Sequence, residues 1–159
     1  MRFLIVAAGH RQPAWVSSAF GEYAKRMPRE ARVELTEIRP EPRNDAGSES
    51  AVARLLEREA VRFAAAIPRG TAIVALVEAG EALTTRGFAA RMEQWLSGGR
   101  DVAFLIGSAD GLDPTLKARA EHTLSLSPFT LPHGLARVVL AEQLYRAHSL
   151  LSGHPYHRD

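Results

Sequence analysis

Apolar and polar positions along the chain alternate between two periodicities. Short β-branched or apolar runs predict five strands, over Arg2–Ala7, Arg32–Ile38, Thr71–Val77, Val102–Ile106 and His122–Leu126. Helical spacing predicts five helices, over Pro13–Met27, Ser48–Ile67, Thr84–Leu96, Pro114–Glu121 and Gly134–Leu151. Strands interleaved with helices predict an α/β fold of three layers, in which a largely parallel sheet carries helices on both faces.

The same pattern indicates which side chains pack. Two strands, Thr71–Val77 and Val102–Ile106, are apolar throughout, which predicts burial on both faces. The residues expected to pack from the first two helices are Trp15, Phe20, Tyr23, Ala24, Val52, Leu55, Leu56, Val61 and Phe63. The stretch Arg39–Ser48 is rich in Pro, Asn, Asp and Gly, so we predict a loop there, and disorder is most expected in it.

The final helix has two apolar stripes. The first contains Leu135, Val138 and Val139, and the second contains Leu140, Leu144, Ala147 and Leu151. A helix packed on one sheet needs a single stripe. The second stripe therefore favours a symmetric dimer, and the alternative is a helix buried deeply within its own domain.

Three loops follow the last three strands, and parallel sheets bind ligands beyond the carboxyl ends of their strands. Gly107 and Gly111 allow close backbone approach to a ligand, although an ordinary tight turn explains them equally well. Pro128 and Pro132 stiffen the next loop. Such a rigid loop suits recognition of an adenine edge and a ribose, or it is an ordinary proline-containing connection.

Two features of the last helix are candidates for a role in catalysis or substrate binding. His133, at its start, is either part of the helix terminus or a proton acceptor. Glu142 and Arg146 are four residues apart, which predicts an ion pair within the helix. Arg146 could also face an anionic substrate.

Composition narrows the function classes. The chain has 159 residues and no cysteine, which excludes disulfides, thiolate nucleophiles and cysteine metal sites. A net charge of +2 gives only a weak preference for anionic partners. No apolar run approaches the roughly 20 residues of a membrane span, and the first apolar run is too short for a signal peptide. We expect a cytoplasmic protein with no membrane partner.

The last residues, "HPYHRD", concentrate hydrogen-bonding chemistry at a terminus. Four interpretations are open: disorder, a metal site of His154 and His157, the remnant of an affinity tag, or a segment that contacts substrate. The varied composition disfavours a tag, and the lack of accompanying ligands disfavours a metal. As a substrate segment, Tyr156 could stack on a base and Arg158 could hold a phosphate.

The stretches "GHRQPAW", "FLIGSADGL", "EQLYRA" and "HPYHR" together resemble the RlmH-type ribosomal RNA methyltransferases of the SPOUT superfamily. The resemblance covers essentially the whole chain. It implies a single domain over residues 1–159, with a deep C-terminal trefoil knot and dimer elements in about residues 70–159. It also implies a homodimer that methylates N3 of a pseudouridine in 23S ribosomal RNA on assembled ribosomes, with S-adenosylmethionine as methyl donor and no metal.

The resemblance also implies site residues. The cofactor side is Leu76, Val77, Gly107, Ser108, Leu126, Ser127, Pro128, Phe129, Thr130, Leu131 and Pro132. The substrate and catalytic side is Arg146, His154, Tyr156, His157 and Arg158. Similar proteins usually have Asp where this chain has Val77, Lys at Glu81 and Gly at Ser108. Ser108 matters most if its position needs a positive φ.

In such a reaction the nucleophile is an imide nitrogen that must lose its proton. His157 or His154 is the candidate base, and Arg146 or Arg158 would stabilise the developing negative charge. The three departures motivate a rival interpretation, a non-catalytic RNA-binding or ribosome-assembly factor with a degenerate pocket. A third possibility is a small-molecule-binding α/β protein with no role in RNA.

Overall fold

The computed structural model describes residues 1–44 and 47–157. Five strands form one sheet in which every pair is parallel, in the order β2-β1-β4-β3-β5. The strands are β1 (Arg2–Ala8), β2 (Arg32–Ile38), β3 (Ala72–Ala82), β4 (Val102–Ile106) and β5 (His122–Ser125). The helices are α1 (Ala14–Ala24), α2 (Glu49–Ala66), α3 (Thr85–Gly98), α4 (Pro114–Arg119) and α5 (His133–Ser152). The predicted α/β class and parallel sheet are confirmed.

Helices cover both faces of the sheet, which gives the three predicted layers. One core lies under α1, α3 and α5 and contains Phe20, Trp95 and Leu140 together with Phe104 of β4. The rings of Trp95 and Phe104 are 5.5 Å apart. The other core lies under α2 and α4 and includes Phe63. In the described part of the chain, no helix combines the length and apolarity that a membrane crossing requires.

Local sequence signals set the helix ends. Ser48 caps α2 by accepting from the amide of Ala51, and Thr84 caps α3 by accepting from Gly87. Beyond the last turns, Gly99 and Gly153 adopt left-handed conformations with φ of 67° and 69°, which glycine adopts without the steric cost of a side chain. The two helices therefore end where a glycine can adopt the left-handed conformation that the C-terminal cap requires.

The third strand is longer than predicted. It continues to Ala82, so the predicted loop Glu78–Thr85 is largely strand. Its pairing with β5 shifts register between Leu76 and Glu81, both of which face Leu124. A Cβ at Gly80 would lie 2.4 Å from the backbone carbon of Leu124, so the chains cross at a distance that only glycine permits.

The prediction that Trp15 and Val61 pack in the core is wrong. Trp15 is 56% exposed and Val61 is 70% exposed. Val16 and Phe20 form the buried row of α1, and Trp15 lies beside that row. Val61 lies on the solvent side of α2, whose buried side is formed by Leu56, Glu59 and Phe63. The helix α1 also ends at Ala24 and not at Met27.

The second stripe of α5 packs within its own chain. Leu140, Leu144 and Ala147 are fully buried, because α5 packs against both α1 and α3. These three residues therefore do not need a second copy, which removes one reason for predicting a dimer. Only Leu151 of that stripe is exposed, while Leu135, Val138 and Val139 of the first stripe stay half-buried.

The loop after β2 is held by side-chain contacts as far as residue 44. The amide of Glu41 donates to Glu59 at 2.9 Å, and Arg43 pairs with the same carboxylate at 2.7 Å. The expectation of disorder is wrong for residues 39–44. Residues 45 and 46 lie outside the described part of the chain.

Candidate functional site

A cavity of about 790 Å³ lies at the carboxyl ends of β3, β4 and β5. Its wall consists of residues 76–78 within β3, the loops that follow β4 and β5, Lys117 of α4 and the first turn of α5. The lining residues are Leu76, Val77, Glu78, Ile106, Gly107, Ser108, Ala109, Asp110, Gly111, Leu112, Lys117, Ser125, Leu126, Ser127, Phe129, Thr130, Leu131, Pro132, His133 and Ala136. The volume lies in the range of small-molecule and cofactor sites, which is about 300–1,000 Å³.

Ten of the eleven residues predicted for a cofactor line this cavity. Pro128 is the exception, because it is exposed within the loop whose neighbouring residues face the cavity. Glu78, Asp110, Lys117 and His133 were not predicted as binding residues, although all four line the wall. Their positions directly beside the predicted loops are the signal that could have found them.

The turn after β4 is closed by its own backbone. The amide of Ser108 donates to the carbonyl of Gly111 at 3.2 Å, and the amide of Gly111 donates back at 2.9 Å. A Cβ on Gly107 would lie 2.3 Å from the Gly111 carbonyl oxygen, so this position requires glycine. Ser108 does not have a positive φ, since Arg11 is the only non-glycine residue with one in the described chain. Serine therefore fits the backbone at position 108.

The loop after β5 is tied across the cavity. The Thr130 hydroxyl donates to the Glu78 carboxylate at 3.1 Å, which joins this loop to β3. Within the loop, the amide of Phe129 donates to the Ser127 hydroxyl at 2.9 Å. The Phe129 ring itself is 81% exposed. These bonds fix the loop while leaving an aromatic surface beside the cavity.

Val77 and Glu81 are the other two positions at which this chain differs from similar proteins, and their surroundings differ from each other. Val77 is half-buried and packs against the core under α2 and α4, and the following residue, Glu78, supplies a carboxylate to the cavity. Glu81 pairs with Arg91 at 3.4 Å and does not line the cavity. Glu81 instead lines a neighbouring pocket, which shares Ser125 and Leu126 with the cavity.

Two buried charged residues beside the cavity were missed by sequence reasoning. Glu59 and Arg137 are each 1% exposed. Each lies on the apolar side of its helix at helical spacing from buried residues, and that placement was the available signal. Arg137 donates to Glu37 at 2.9 Å, while its Nε and Nη2 have no acceptor among the described residues.

His133 lies on the cavity wall near these charges. Burial, and then the positive charge of Arg137, lower the pKa of His133 from its usual value, and the negative charge of Glu59 partly opposes them. The imidazole is therefore neutral at pH 7, and a neutral imidazole is able to accept a proton.

The predicted substrate residues gather at the other end of α5. We call Glu142, Tyr145, Arg146, His154 and Tyr156 the tail cluster. The Tyr156 hydroxyl donates to Glu142 at 3.1 Å, and Arg146 donates to the same carboxylate oxygen at 2.8 Å. The Arg146 guanidinium carbon lies 4.9 Å from the Tyr156 ring centroid. A cation–π contact and a shared carboxylate thus hold Arg146 and Tyr156 together.

The protonation of Tyr156 follows from these contacts. Burial, the hydrogen bond with Tyr23 and the charge of Glu142 raise the pKa of Tyr156 to about 12. The phenol therefore stays neutral and acts as a hydrogen-bond donor near pH 7. His154 is exposed, and its Nδ1 accepts from the amide of Tyr156 at 3.2 Å. The side chain of His157 and all of Arg158 lie outside the described residues.

The cavity and the tail cluster do not meet within one chain. Twelve residues of α5 separate His133 from Tyr145, and at 1.5 Å per residue this is about 18 Å along the helix axis. No described residue of the tail lines the cavity. The described members of the predicted catalytic set, Arg146, His154 and Tyr156, therefore lie toward or beyond the C-terminal end of α5, whereas the cavity lies at its N-terminal end.

Within the described residues, no group of three or more His, Asp or Glu side chains is placed to hold a metal ion.

Comparisons with known proteins cover nearly the whole chain. A family model described as "Predicted SPOUT methyltransferase" matches residues 1–157. The chain is 56% identical over 158 residues to the ribosomal RNA large subunit methyltransferase H of Ralstonia nicotianae, with 99% of each chain covered. It is 53% identical, with the same coverage, to the protein of that name from Nitrosospira multiformis.

A solved structure shares the fold. It is a probable methylase family protein from Haemophilus influenzae, with a TM-score of 0.55 and 12% sequence identity. The match covers 99% of this chain and 70% of that one.

Proposed function

Because the chain belongs to the SPOUT methyltransferase family, we propose that it transfers a methyl group from S-adenosylmethionine to RNA of the large ribosomal subunit. The observation that carries the proposal is that the relatives named as ribosomal RNA large subunit methyltransferases match 99% of the chain at more than half identity. The sequence resemblance makes the target N3 of a pseudouridine in 23S RNA, on assembled ribosomes in the cytoplasm. The whole chain acts as one domain.

The methyl donor binds in the cavity at the ends of β3, β4 and β5. Apolar side chains such as Leu76, Leu126 and Leu131 suit an adenine ring, and the backbone of the Gly107–Gly111 turn suits its polar edge. Because Ser108 has an ordinary backbone conformation and Glu81 lies elsewhere, two of the three departures leave this wall intact. The rival function, a non-catalytic factor with a degenerate pocket, is therefore not favoured.

S-adenosylmethionine supplies an electrophilic methyl group on a sulfonium. The protein then has to hold the target ring, remove the imide proton and stabilise the negative charge that develops. Arg146 carries the positive charge for the last task, and Tyr156 offers a neutral phenol and a ring face for stacking. The proton acceptor is a tail histidine, His154 or His157, because an imidazole nitrogen can accept a proton.

A complete site needs two copies of the chain. The distance of about 18 Å along α5 between the start of that helix and the tail cluster supports a site in which the tail of a second copy approaches the cavity. The half-buried stripe of Leu135, Val138 and Val139 and the exposed Phe129 offer apolar surface for such a dimer. We also infer that the C-terminal half is knotted, because the chain belongs to the SPOUT family.

The activity is tested with radiolabelled S-adenosylmethionine and three substrates: free 23S RNA, large subunits and whole ribosomes, all from cells that lack the protein. We expect labelling of ribosomes, with a single methylated pseudouridine found by mass spectrometry of the digested RNA. If no substrate is labelled while the protein binds S-adenosylmethionine, the proposed RNA substrate is wrong.

The dimer is tested by mixing two variants that are each strongly impaired. Gly107→Ala displaces the cavity turn and Tyr156→Ala removes the centre of the tail cluster. If each site combines the cavity of one copy with the tail of another, co-expressed heterodimers regain one intact site, or up to about half of the activity. Each variant alone, assayed at limiting donor, should keep only about a hundredth of the wild-type activity. A lack of complementation in a mixture shown to contain heterodimers would contradict a shared site.

A further inference from the structure

The cavity turn after β4 is held from behind by a buried carboxylate. Glu59 of α2 accepts three hydrogen bonds although it is 1% exposed. Its Oε1 accepts from the amide of Glu41 at 2.9 Å and from Arg43 at 2.7 Å, and its Oε2 accepts from the Ser108 hydroxyl at 2.6 Å. One side chain thus joins the helix, the loop after β2 and the cavity turn.

Arg43 completes the connection. Its Nη1 donates to Glu59 and to the carbonyl of Glu41, its Nη2 donates to the Ser108 hydroxyl, and its Nε donates to Asp110 at 2.8 Å. All three nitrogens of the guanidinium are therefore engaged, and two of its contacts lie on the cavity turn. The planar fork of arginine allows these simultaneous bonds, which a lysine ammonium would not reproduce.

The two residues that Arg43 contacts on the turn, Ser108 and Asp110, also line the cavity. Neither Arg43 nor Glu59 lines it. Fully satisfied networks of buried polar groups hold the parts that they join in a single arrangement. The contacts from Arg43 and Glu59 therefore fix the wall from the side opposite the ligand.

We propose that Glu59 and Arg43 are positioning residues that set the shape of the Gly107–Gly111 turn for the methyl donor. The inference rests on the proposed function, since it takes the cavity as the S-adenosylmethionine site. It gives the serine at position 108 a role, because a glycine there would lack the hydroxyl that links the turn to both residues.

The test measures the dissociation constant of S-adenosylmethionine by calorimetry for the full-length protein and its variants. Arg43→Ala removes the guanidinium bonds to Ser108 and Asp110 and leaves only the bond between Ser108 and Glu59. We expect its dissociation constant to rise about tenfold, the size of one lost hydrogen bond to a charged group. Arg43→Lys keeps the charge without the fork, so we expect an intermediate rise. Ser108→Gly keeps the pairing of Arg43 with Glu59 and removes only the hydroxyl, so its rise is smaller.

Arg58→Ala is the matched control. Arg58 also belongs to this region and pairs with Glu41 at 3.4 Å, but it is exposed and contacts neither Glu59 nor the cavity turn. We expect its dissociation constant to stay at the wild-type value. The combined variant Arg43→Ala and Ser108→Gly should show less than the sum of the two separate effects, because both act through one network.

Kinetics separates positioning from a general loss of stability. With saturating S-adenosylmethionine, Arg43→Ala should keep the wild-type kcat while its KM for the donor rises. Unchanged affinity in folded variants, or a fall in kcat that matches the fall in thermal stability, would overturn the inference. If Arg43→Ala does not fold, Ser108→Gly decides the question by the same criteria. Failure of the wild-type protein to bind the donor would instead overturn the proposed function, and this inference with it.

Discussion

The two ends of α5 carry sites that are built by different means. At the N-terminal end, the cavity depends on close backbone approach, as at Gly107, and on a turn closed by two backbone hydrogen bonds. At the C-terminal end, the tail cluster consists of side chains. The centroid of the Tyr156 ring lies 4.6 Å from that of the Tyr145 ring, and the Arg146 guanidinium carbon lies 4.9 Å from the Tyr156 centroid. Backbone thus shapes one site, and aromatic and charged side chains shape the other.

The difference matches the ligands that we propose. A small cofactor of constant shape suits a wall whose form is fixed by glycines and by a buried network. A ribosomal RNA presents phosphates and an unstacked base, which aromatic rings and arginines bind at a surface. Changes at the two ends should therefore separate donor binding from RNA methylation.

The largest effect is expected at Gly107. In Gly107→Ala the new Cβ would meet the Gly111 carbonyl oxygen at 2.3 Å, so the turn must move. Overpacking of this kind costs about 1–3 kcal/mol, and at the upper end that weakens donor binding roughly 100-fold. Calorimetry measures the binding and radiolabelling the activity. Wild-type affinity in this variant would show that the turn is not part of the donor site.

Tyr156→Ala should affect the opposite end. The variant loses both ring contacts and the bond to Glu142, so we expect methylation to fall by about 100-fold, as misplacement of reacting groups does. The affinity for S-adenosylmethionine should not change. Tyr156→Phe keeps the ring and loses only the hydroxyl, and its loss should be roughly tenfold or less. Equal losses in the two variants would assign the effect to the hydroxyl and not to stacking.

A smaller effect concerns stability at the cavity end. In Gly80→Ala the Cβ would lie 2.4 Å from the Leu124 backbone, and we expect a loss of about 1–3 kcal/mol in the free energy of unfolding. Gly98→Ala is the control, since it has open space around it at the end of α3 and should be neutral or stabilising. Urea denaturation compares the two. A stable Gly80→Ala protein would mean that the crossing of β3 and β5 can relax.

The smallest effect is a dependence on pH at His133. Burial and Arg137 lower its pKa in the folded state, so the unfolded chain binds the proton more readily. Its contribution to stability is therefore present above about pH 6.5, the usual histidine value, and is lost as the pH falls below it. The slope stays under the roughly 1.4 kcal/mol per pH unit of a whole proton, since water screens a half-buried group.

Urea denaturation of the wild type and of His133→Gln at pH 5 and pH 8 measures the contribution of His133 to the free energy of unfolding. The wild type should lose more stability than the variant on going to pH 5. Tyr156, with a pKa of about 12, should contribute nothing in this range. A wild type and a variant with parallel pH profiles would exclude a perturbed His133.

Several parts of the fold were predictable because they depend on local sequence. The bounds of β2 and β4 match the prediction, since alternation and an unbroken apolar run each define a strand. Most of the cavity wall was also predictable, because parallel strands bring the loops after them to one edge of the sheet. The continuation of β3 past Val77 was not, because it depends on pairing with β5, which follows much later in the chain.

The burial of charged residues could not be predicted from the sequence. Glu59 and Arg137 look like solvated positions in a sequence, because charges are almost never fully buried unless they are paired. Their partners, Arg43 and Glu37, come from other elements. The tail cluster was predicted as a group of residues, and its distance from the cavity follows from the length of the predicted last helix. The return of Tyr156 onto Glu142 of α5 was not predictable, because it depends on contacts made after the helix has ended.

The sequence by itself determined the α/β class, the glycines at the tight turns and the resemblance to a methyltransferase family, because these depend on periodicity, backbone freedom and short motifs. Only the tertiary structure decided that the carboxylate of Glu59 meets the hydroxyl of Ser108, and that the hydroxyl of Tyr156 returns to the carboxylate of Glu142 on α5. Such contacts join residues of different segments of the chain. They arise from tertiary packing, which local patterns do not specify.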